Sequence, residues 1–287
     1  MRIIKDIDQL RRIVSKARRQ GKTIGFVPTM GYFHEGHLSL MRRAKKDNDL
    51  CVVSIYVNPK QFGPKEDLAN YPRDFKRDSS LAKKENVDII FIPPDNVVYP
   101  SGYLTYIDVE KISGVLCGAF RPGHFKGVAT IVAKLLNMVQ PDTMYLGAKD
   151  AQQVAVLQNM VRDLDFPVTI KVVLTVREID GLAMSSRNVY LSPAQRHQAA
   201  VLYQALCAAK DRVAQGERSA AKILQLVKAI ITKKTPGKIQ YVACVDLKTL
   251  APLKKIEGHI LIALAVFFGK TRLIDNIVIS LHEPRKK

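Results

Sequence analysis

Short apolar runs alternate with longer amphipathic stretches along residues 1–190 of the chain. The runs have the length of buried strands, whereas the stretches repeat apolar residues every three or four positions, as helices do. This alternation predicts an α/β fold, a parallel sheet with helices on both faces. The predicted strands are Thr23–Val27, Leu50–Val57, Val87–Ile92, Thr143–Leu146 and Val168–Val173, and the predicted helices are His37–Asn48, Arg73–Glu85, Lys126–Gln140 and Asp150–Asp165.

The pattern changes after Asn188. Ser192 followed by Pro193 makes a favourable N-cap and first helical position, and two helical stretches follow. Three apolar runs then close the chain, and residues 268–270 between the last two predict a hairpin turn. We therefore expect a smaller C-terminal α+β domain (188–287) after a larger domain (1–187). The predicted helices of the smaller domain are Ala199–Ala214 and Ser219–Ile231, and its predicted strands are Ile239–Asp246, His259–Phe267 and Arg272–Ser280.

Residues 27–38, VPTMGYFHEGHL, join the first predicted strand to the first predicted helix. A strand, a glycine-bearing turn and a helix start together aim backbone N–H groups and the positive end of the helix dipole at an anion. His34 and His37 can bind phosphate oxygens there or stabilise a charged transition state, and Gly36 leaves room for a flat ligand. Ligands of parallel sheets bind beyond the carboxyl ends of the strands, so this segment predicts a nucleotide site.

A zinc site is the alternative reading of the two histidines. Their HEGH spacing is one residue shorter than the HExxH spacing of zinc proteases, and no two of the four cysteines are close in sequence. The remaining histidines (His124, His197, His259 and His282) are scattered along the chain. These spacings disfavour a metal held by the protein.

Other segments place polar side chains where a predicted strand ends or a helix begins. Asn58 and Gln61 follow a buried strand, where amide groups can bind hydroxyls or carboxylates. Lys149 and Gln153 lie at a later helix start, where an ammonium can neutralise developing phosphoryl charge. Residues 184–187, MSSR, combine two hydroxyls with a guanidinium, which is the composition of a phosphate clamp.

Each of these segments also has a simpler interpretation. Asn58 and Gln61 could belong to an ordinary capped loop, and Lys149 could be a surface lysine. The glycine-rich segment 116–127, with Arg121 and His124, is either an anion-binding loop or only a turn. A serine nucleophile in segment 184–187 is a further alternative, but the chain shows no GxSxG elbow there.

Composition adds a large positive charge to this picture. The formal net charge is +19 and the sequence pI is about 9.8, which favours anionic partners such as nucleotides, acid substrates or nucleic acid. The sequence carries no zinc-finger or RNP-like aromatic pattern. Widely spaced cysteines in apolar runs are typical of thiols in a reducing cytoplasm. No signal peptide is visible, and the apolar run 260–268 is too short to span a bilayer.

Taken in order, the motifs resemble those of the pantothenate synthetase (pantoate–β-alanine ligase) family within the nucleotidyltransferase superfamily. The HxGH pattern alone would mark only the superfamily, whereas several of the other motifs are specific to the family. Together they cover nearly the whole chain. The motifs are PTMGYFHEGH (28–37), SIYVNPKQF (54–62) with YPRD (71–74), LCGAFRPGHFKGVATIV (116–132), LGAKDAQQ (146–153), TVREIDGLAMSSRN (175–188) and YLSPAQR (190–196).

The resemblance implies a Rossmann-like nucleotide-binding domain and a two-step ligase. ATP and D-pantoate, with Mg²⁺, would form pantoyl adenylate and pyrophosphate. β-Alanine would then attack the acyl carbon and give pantothenate and AMP. In-line attack on the α-phosphorus accumulates negative charge, so such a catalyst acts mainly by positioning, by cations and by hydrogen-bond donors.

The resemblance also implies roles for individual residues. His37 would be the proton donor, His34 and Lys149 would contact the phosphates, and Asp150 would lie near the ribose. Residues 184–187 would be the counterpart of the flexible KMSKS loop of the aminoacyl-tRNA synthetases. The implied catalytic residues are His34, His37, Lys149, Ser185, Ser186 and Arg187. The implied ATP site comprises Met30, Gly31, Tyr32, Phe33, His34, Glu35, Gly36, His37, Gly147, Ala148, Lys149, Asp150, Val176, Met184, Ser185, Ser186 and Arg187. The implied site for pantoate and β-alanine comprises Pro28, Met30, Asn58, Gln61, Arg121 and Gln153.

The chain departs from the family pattern at two positions. Ala148 stands where glutamate is usual and Ala151 where an aromatic residue is common, and both flank Lys149. Family members are typically homodimers whose C-terminal domain is a lid over the site, and closure would shield an adenylate from water. The resemblance therefore implies a cytoplasmic homodimer with small-molecule substrates, no nucleic-acid or membrane partner and no metal held by the protein itself.

Two other functions stay open at this point. The first is a nucleotidyltransferase that uses the same site on a different acid or phosphate. The second is a basic nucleic-acid-binding protein with a vestigial nucleotide fold, which would bind DNA or RNA in a strongly salt-dependent way. Gln61 and Gln153 discriminate the first alternative, because they would hold pantoate in the ligase.

Overall fold

The computed structural model describes residues 1–64 and 66–281, which form two compact units. The first unit comprises Met1–Gly114, Gly118–Ala148 and Val156–Leu174. The second comprises Val115–Cys117, Lys149–Ala155 and the chain from Thr175 onward. These units differ in extent from the two domains expected from the sequence, whose boundary at residue 187 stays a prediction. His282 lies outside the described residues.

A parallel sheet of six strands organises the first unit. The strands are β1 (Arg2–Ile4), β2 (Ile24–Thr29), β3 (Leu50–Ile55), β4 (Ile89–Phe91), β5 (Thr143–Gly147) and β6 (Thr169–Val173). Their order is β1-β4-β3-β2-β5-β6, and every neighbouring pair is parallel. The chain builds outward from β2 on one side and later on the other, so the winding reverses between β2 and β5. The predicted fold class is confirmed.

Helices connect these strands in the way the alternating pattern predicts. They are α1 (Ile7–Arg19), α2 (Glu35–Asp47), α3 (Phe75–Lys84), the short α4 (Asp95–Val98) and α6 (His124–Val139), while α5 (Cys117–Phe120) and α7 (Ala151–Asp163) combine residues of both units. Aspartates begin two of them, since Asp6 accepts the Gln9 N–H at 2.7 Å and Asp74 accepts the Arg77 N–H at 3.0 Å.

Both faces of the central strands are buried, which explains their continuous apolar sequences. Val27 and Val53 pack with Met41 of α2 and Ala82 of α3 in one cluster. Phe26, the neighbour of Val27 on β2, points to the opposite face and is also fully buried. Helices therefore cover both faces of the sheet, and only the ends of the central strands are left for a ligand site.

Two local differences from the predicted elements have clear causes. The edge strand β1 was not predicted, because three residues are too few for periodicity to show a strand. Helix α2 begins at Glu35 rather than at His37, because the side chain of His34 caps it. The second difference moves His34 from a loop to the N-cap position of the helix.

The second unit is an α+β assembly built on an antiparallel sheet. Its strands are β7 (Lys238–Asp246), β8 (His259–Phe268) and β9 (Thr271–Ser280), in the order β7-β8-β9, and its helices are α8 (Pro193–Ala199), α9 (Val201–Ala214) and α10 (Ala220–Lys234). Ser192 and Gln195 form a capping box at the start of α8. None of the helices in the described ranges is long and apolar enough to cross a bilayer.

Candidate active site

The histidine-bearing segment leaves β2 at the carboxyl edge of the parallel sheet. β2 ends at Thr29, and its neighbour β5 ends at Gly147. Thr29 is fixed there because its hydroxyl donates to the Ser54 carbonyl at 2.6 Å and accepts the Gly31 N–H at 3.2 Å. These strand ends flank the reversal of winding, which is where open α/β sheets form a ligand crevice.

The turn after β2 contains two consecutive residues with positive φ, 85° at Gly31 and 53° at Tyr32. Asp78 of α3 stabilises this unusual backbone, because its carboxylate accepts the N–H groups of Tyr32 and Phe33, each at 2.7 Å. The Phe33 ring is fully buried in the core. The turn is therefore held in one shape immediately before His34.

Asp78 belongs to the candidate site but was not among the residues predicted from the sequence. It is 1% exposed, and burial raises the pKa of its carboxyl group although the two N–H donors oppose that rise. An added Cβ at Gly31 would come within 3.0 Å of Asp78 Oδ2, so the glycine admits the carboxylate. A signal was present in the sequence, since Asp78 lies four residues before the buried Ala82 and therefore on the inner face of α3.

His34 and His37 form the N-terminus of α2. Nδ1 of His34 accepts the Gly36 N–H at 3.2 Å, and Nδ1 of His37 accepts the His34 N–H at 3.3 Å. The two contacts make a capping box from imidazoles, and the ring centroids are 4.1 Å apart. Because each Nδ1 is an acceptor, the neutral rings carry their protons on Nε2. The segment thus places both imidazoles at the positive end of a helix dipole.

Gly36 has a steric role that the sequence did not reveal. An added Cβ would lie 2.9 Å from two atoms of the His34 ring, so only glycine lets this ring fold back over the first turn of α2. The expected role was access for a ligand. The neighbouring Glu35 is paired with Arg42 on the outer part of the same helix.

Three residues expected at the substrate subsite meet in the first unit: Met30, Asn58 and Gln61. Asn58 Nδ2 donates to Gln61 Oε1 at 3.0 Å and to the Gly127 carbonyl at 3.1 Å, and its Oδ1 accepts the Tyr99 hydroxyl at 2.8 Å. Gln61 Nε2 lies 3.2 Å from Met30 Sδ. Asn58 is 1% exposed, so it serves as a scaffold that orients the amide of Gln61.

Arg121 lies close to the backbone of Gln61 and forms an ion pair with Glu66. Its guanidinium makes a two-point contact with Glu66, with Nε 2.7 Å from Oε1 and one terminal nitrogen 2.5 Å from Oε2. Burial opposes this pair, yet Arg121 lowers the pKa of Glu66 overall. The other terminal nitrogen is 3.0 Å from His124 Nε2, and His124 Nδ1 is 2.8 Å from the Gln61 carbonyl. The cluster therefore fixes the loop that carries Gln61.

Lys149 and Asp150 belong to the second unit, in a 3-10 turn (Ala148–Asp150) directly before α7. Lys149 Nζ is 3.8 Å from Asp150 Oδ2, and the two side chains are 19% and 43% exposed. Asn276 Nδ2 donates to the Lys149 carbonyl at 2.8 Å. The backbone of the lysine is thereby fixed from β9, while Ala148 and Ala151 place only methyl groups beside it.

Gln153 of α7 is half-buried, whereas the adjacent Gln152 is buried. Gln152 accepts the Cys117 N–H at 2.9 Å and donates to the Val115 carbonyl at 2.7 Å. It therefore ties the segment 115–117 to the start of α7 within the second unit. Gln153 is the glutamine expected to hold pantoate, and the structural role of its buried neighbour Gln152 was not predicted.

Residues 176–184 of the second unit form a short hairpin whose turn contains Gly181, at a φ of 92°. The Met184 N–H donates to the Val176 carbonyl at 3.0 Å, so two residues expected at the ATP site meet here. Ser185 follows as the cap of a 3-10 helix (Ser186–Tyr190), and its hydroxyl accepts the Arg187 N–H at 3.3 Å. The predicted clamp residues thus lie at the exit of the hairpin.

The donor groups of these segments suit an anionic ligand better than a metal centre. Within the ranges that the structure describes, no group of three His, Cys, Asp or Glu residues could hold a metal ion. Imidazole N–H groups, a lysine, an arginine and backbone N–H groups at a helix start are the groups that stabilise phosphate charge.

Comparison with known proteins agrees with the motifs. A sequence model described as pantoate-beta-alanine ligase matches residues 2–278. The chain is similar to a pantothenate synthetase from Caldicellulosiruptor saccharolyticus, with 53% identity over 98% of this chain and 100% of the relative. A pantothenate synthetase from Moorella thermoacetica is 52% identical over 99% of this chain and 100% of the relative.

The similar solved structures belong to the same family as the sequence relatives. The crystal structure of pantothenate synthetase from Thermus thermophilus matches with a TM-score of 0.92 and 45% identity, covering 96% of this chain and 99% of that chain. The pantoate-beta-alanine ligase from Francisella tularensis, solved in complex with beta-gamma ATP and beta-alanine, matches with a TM-score of 0.79 and 34% identity over 97% of both chains. The chain belongs to the pantoate–β-alanine ligase family, whose members bear the name pantothenate synthetase.

Proposed function

We propose that this enzyme condenses D-pantoate with β-alanine at the expense of ATP, which is cleaved to AMP and pyrophosphate. The observation that carries the proposal is the imidazole capping box of His34 and His37 at the start of α2, directly after the end of β2. Family membership supplies the identity of the substrates. The same pair of histidines would suit other nucleotidyl transfers, so the substrate assignment depends on family membership as well as on the capping box.

The first step is adenylation. A carboxylate oxygen of pantoate attacks the α-phosphorus of ATP, the bond to the β-phosphate oxygen breaks, and pyrophosphate leaves. Negative charge grows on the phosphoryl oxygens during this displacement. His34, His37 and Lys149 stabilise that charge by donated hydrogen bonds and by the ammonium charge, with Arg187 as a further cation.

The second step forms the amide. The amine of β-alanine attacks the acyl carbon, loses a proton, and AMP leaves with the oxygen through which it was joined to pantoate. The subsite for the two acids comprises Pro28, Met30, Asn58, Gln61, Arg121 and Gln153. Gln61 is held in place by Asn58 and Met30, so its amide is ready to bind a substrate without reorganisation.

The ATP subsite comprises residues 30–37, Gly147 to Asp150, Val176 and residues 184–187. Mg²⁺ is part of this proposal as the ion that accompanies ATP. The described residues include no cluster of three suitable side chains, so the ion would be held mainly by the phosphates and water, as Mg²⁺ usually is. Its charge would add to the electrostatic stabilisation that the protein supplies.

The proposal extends to the setting of the enzyme. A homodimer in the cytoplasm, with neither nucleic acid nor membrane as a partner, is what the family resemblance implies. The four cysteines are unpaired in the structure, which accords with a reducing compartment. Sedimentation at micromolar concentration would test the dimer directly, and a monomer at that concentration would contradict it.

Pyrophosphate exchange tests the adenylation step. Labelled pyrophosphate should enter ATP only when pantoate and Mg²⁺ are present, and β-alanine should not be needed. Exchange without pantoate, or with unrelated acids at an equal rate, would contradict the substrate assignment. No exchange by folded protein across a panel of acids would overturn the ligase proposal.

A further inference from the structure

Asp275 and Asn276 are consecutive buried polar residues on β9, in the middle of this strand of the second unit's sheet. Consecutive strand residues point to opposite faces, so the two side chains reach different segments. Each one contacts a segment that the proposed function places at the ATP site. Neither residue was singled out by the sequence motifs.

Asp275 holds the hairpin that leads into residues 184–187. Its two carboxylate oxygens pair with the two terminal nitrogens of Arg177 at 2.7 and 3.0 Å. The same guanidinium donates to the Gly181 carbonyl at 3.0 Å and lies 3.7 Å from the centroid of the Tyr203 ring. Arg177 thereby connects the hairpin and α9 to a single buried carboxylate.

The turn of this hairpin is seated tightly. A Cβ added at Gly181 would lie 2.5 Å from the Tyr203 ring, so the backbone is in direct contact with the aromatic side chain. Arg196 of α8 adds a second clamp through Asp180, with nitrogen–oxygen distances of 2.6 and 3.2 Å. The hairpin that leads into residues 184–187 is therefore held at its turn by two sets of contacts.

Asn276 holds the other segment. Its Nδ2 donates to the carbonyl oxygen of Lys149 at 2.8 Å, within the 3-10 turn that follows β5. The Asn276 N–H itself donates to Asp275 Oδ1 at 2.8 Å, so the two residues share one hydrogen-bonded unit. A single point on β9 thus fixes the peptide of the lysine and, through Arg177, the base of the loop.

We propose that Asp275 and Asn276 are positioning residues for adenylation, which set the spacing between Lys149 and residues 184–187 from the second unit's sheet. The proposal rests on the proposed function and adds two residues to it. Both act through other groups: Asn276 through the Lys149 backbone and Asp275 through Arg177. A misplacement of about 1 Å at a catalytic group can cost roughly 100-fold in rate, so small shifts at β9 would be felt at the reaction.

Asn276→Ala is the variant of choice. Removing one partner of a buried ion pair is strongly destabilising, so Asp275 variants risk unfolding, whereas Asn276→Ala removes an uncharged amide. We expect pantoate-dependent pyrophosphate exchange to fall roughly 10- to 100-fold. The KM for β-alanine should stay within about twofold of the wild-type value, because Gln61 lies in the other unit.

The decisive readout is a double-mutant cycle with Lys149→Ala. If Asn276 acts through Lys149, then Asn276→Ala should have little further effect on the exchange rate of Lys149→Ala. Gln240→Ala is the matched control, because this residue of β7 also carries a neutral amide and lies on the same sheet. Its side chain accepts a hydrogen bond from Arg272 of β9 at 2.8 Å. The control should exchange at the wild-type rate.

Each outcome separates the two proposals. Wild-type protein without pantoate-dependent exchange would overturn the proposed function itself. Normal exchange by wild-type and by Asn276→Ala would overturn only the positioning role. The positioning role would also be overturned if Asn276→Ala lowered the exchange rate by the same factor in wild-type protein and in Lys149→Ala. That result would show a general structural effect instead of action through the lysine. Circular dichroism at the assay temperature establishes that each variant is folded.

Discussion

At the residue scale, His34 and His37 show how one pair of side chains both starts a helix and sets which ring nitrogens carry protons. Serine, threonine or aspartate usually caps a helix, but here imidazole nitrogens do so. The caps consume Nδ1 of each ring and leave Nε2 as the donor nitrogen of the neutral form. The same contacts that begin α2 therefore favour the Nε2–H tautomer in the neutral form of each ring.

Replacement of His37 tests this arrangement. We expect His37→Ala to lower the rate of pantoate-dependent pyrophosphate exchange roughly 100-fold or more, which is the scale for loss of a transition-state hydrogen-bond donor. His197→Ala is a suitable control, because His197 is an exposed residue of α8. A folded His37→Ala protein with near-normal exchange would show that the histidine has another role.

Asp78 gives a second prediction at this scale. In Asp78→Asn one of the two backbone N–H groups faces an amide NH₂ in place of a carboxylate oxygen. Loss of that buried bond should lower the free energy of unfolding by roughly 1–3 kcal/mol and reduce the exchange rate. Urea denaturation and the exchange assay measure the two effects.

The matched control for Asp78 is on the same helix. Asp74→Asn keeps a good N-cap residue at the start of α3, so its stability should change by only a few tenths of a kcal/mol, roughly, and its activity not at all. Equal behaviour of the two variants would mean that Asp78 does not hold the turn before His34.

At the scale of elements, the local sequence pattern predicted the longer strands and helices of the core but not the shortest elements. The apolar runs that became β2, β3 and β5 were visible, as was the apolar face of α6, because burial on one face repeats at a regular interval. β1 and the short α4 and α5 were not visible. Elements of three or four residues contain too few repeats and exist because of what they pack against.

The candidate site divides in the same way. His34, Gln61 and Lys149 were identified because each follows a strand or begins a helix, which a local pattern can show. Asp78 and Asn276 were missed because their partners are 46 and 127 residues away along the chain. Periodicity can place Asp78 on the inner face of α3, but which groups a side chain contacts at such separations depends on how the elements assemble.

Packing of α6 against the Pro59–Gln61 turn yields a prediction for an element. A Cβ at Gly127 would lie 2.3 Å from the Lys60 carbonyl oxygen, a backbone atom that cannot move aside easily. Gly127→Ala should therefore destabilise the protein, although alanine in an open helix position would stabilise it by roughly 1 kcal/mol. Unchanged or increased stability in denaturant unfolding would contradict this close approach.

The C-terminal end of α2 supplies a pH-dependent prediction. Hydrogen bonds from Lys171, Arg43 and Tyr145 hold the pKa of Asp47 at about 2, below its ordinary value of 3.8. A depressed pKa means that this carboxylate stabilises the folded chain above about pH 4 and loses that effect as the pH falls towards 2. Asp47 is partly exposed, so the contribution near pH 7 should be modest, roughly 1 kcal/mol.

Unfolding of Asp47→Asn in denaturant checks this expectation. The variant should be less stable than wild type at pH 7, and the difference should shrink at pH 3. Asp163→Asn is the control, because its pair with Arg162 is largely exposed and should contribute little at either pH. A difference that grows on acidification would have the wrong sign for a depressed pKa.

At the scale of the whole molecule, the residues of the proposed site come from both compact units. His34, His37 and Gln61 belong to the first, whereas Lys149, Val176 and residues 184–187 belong to the second. The net charge of +19 is a second property of the whole chain, and it favours the approach of anions.

Salt dependence tests the role of that charge. ATP is strongly anionic and β-alanine is a zwitterion without net charge, so long-range attraction acts mainly on ATP. Raising KCl from low to moderate concentration should lower kcat/KM for ATP, roughly two- to tenfold, and leave kcat/KM for β-alanine nearly unchanged. Equal changes for both substrates would assign the effect to general salt action on the enzyme.

The central claim is that pantoate is activated as an acyl adenylate, and transfer of ¹⁸O tests it most directly. Pantoate labelled in its carboxylate would be incubated with ATP, Mg²⁺ and β-alanine, and the products would be analysed by mass spectrometry. We predict one ¹⁸O atom in each AMP and none in pyrophosphate, because the attacking oxygen leaves with AMP. Unlabelled AMP, or label in any other phosphate product, would contradict the account.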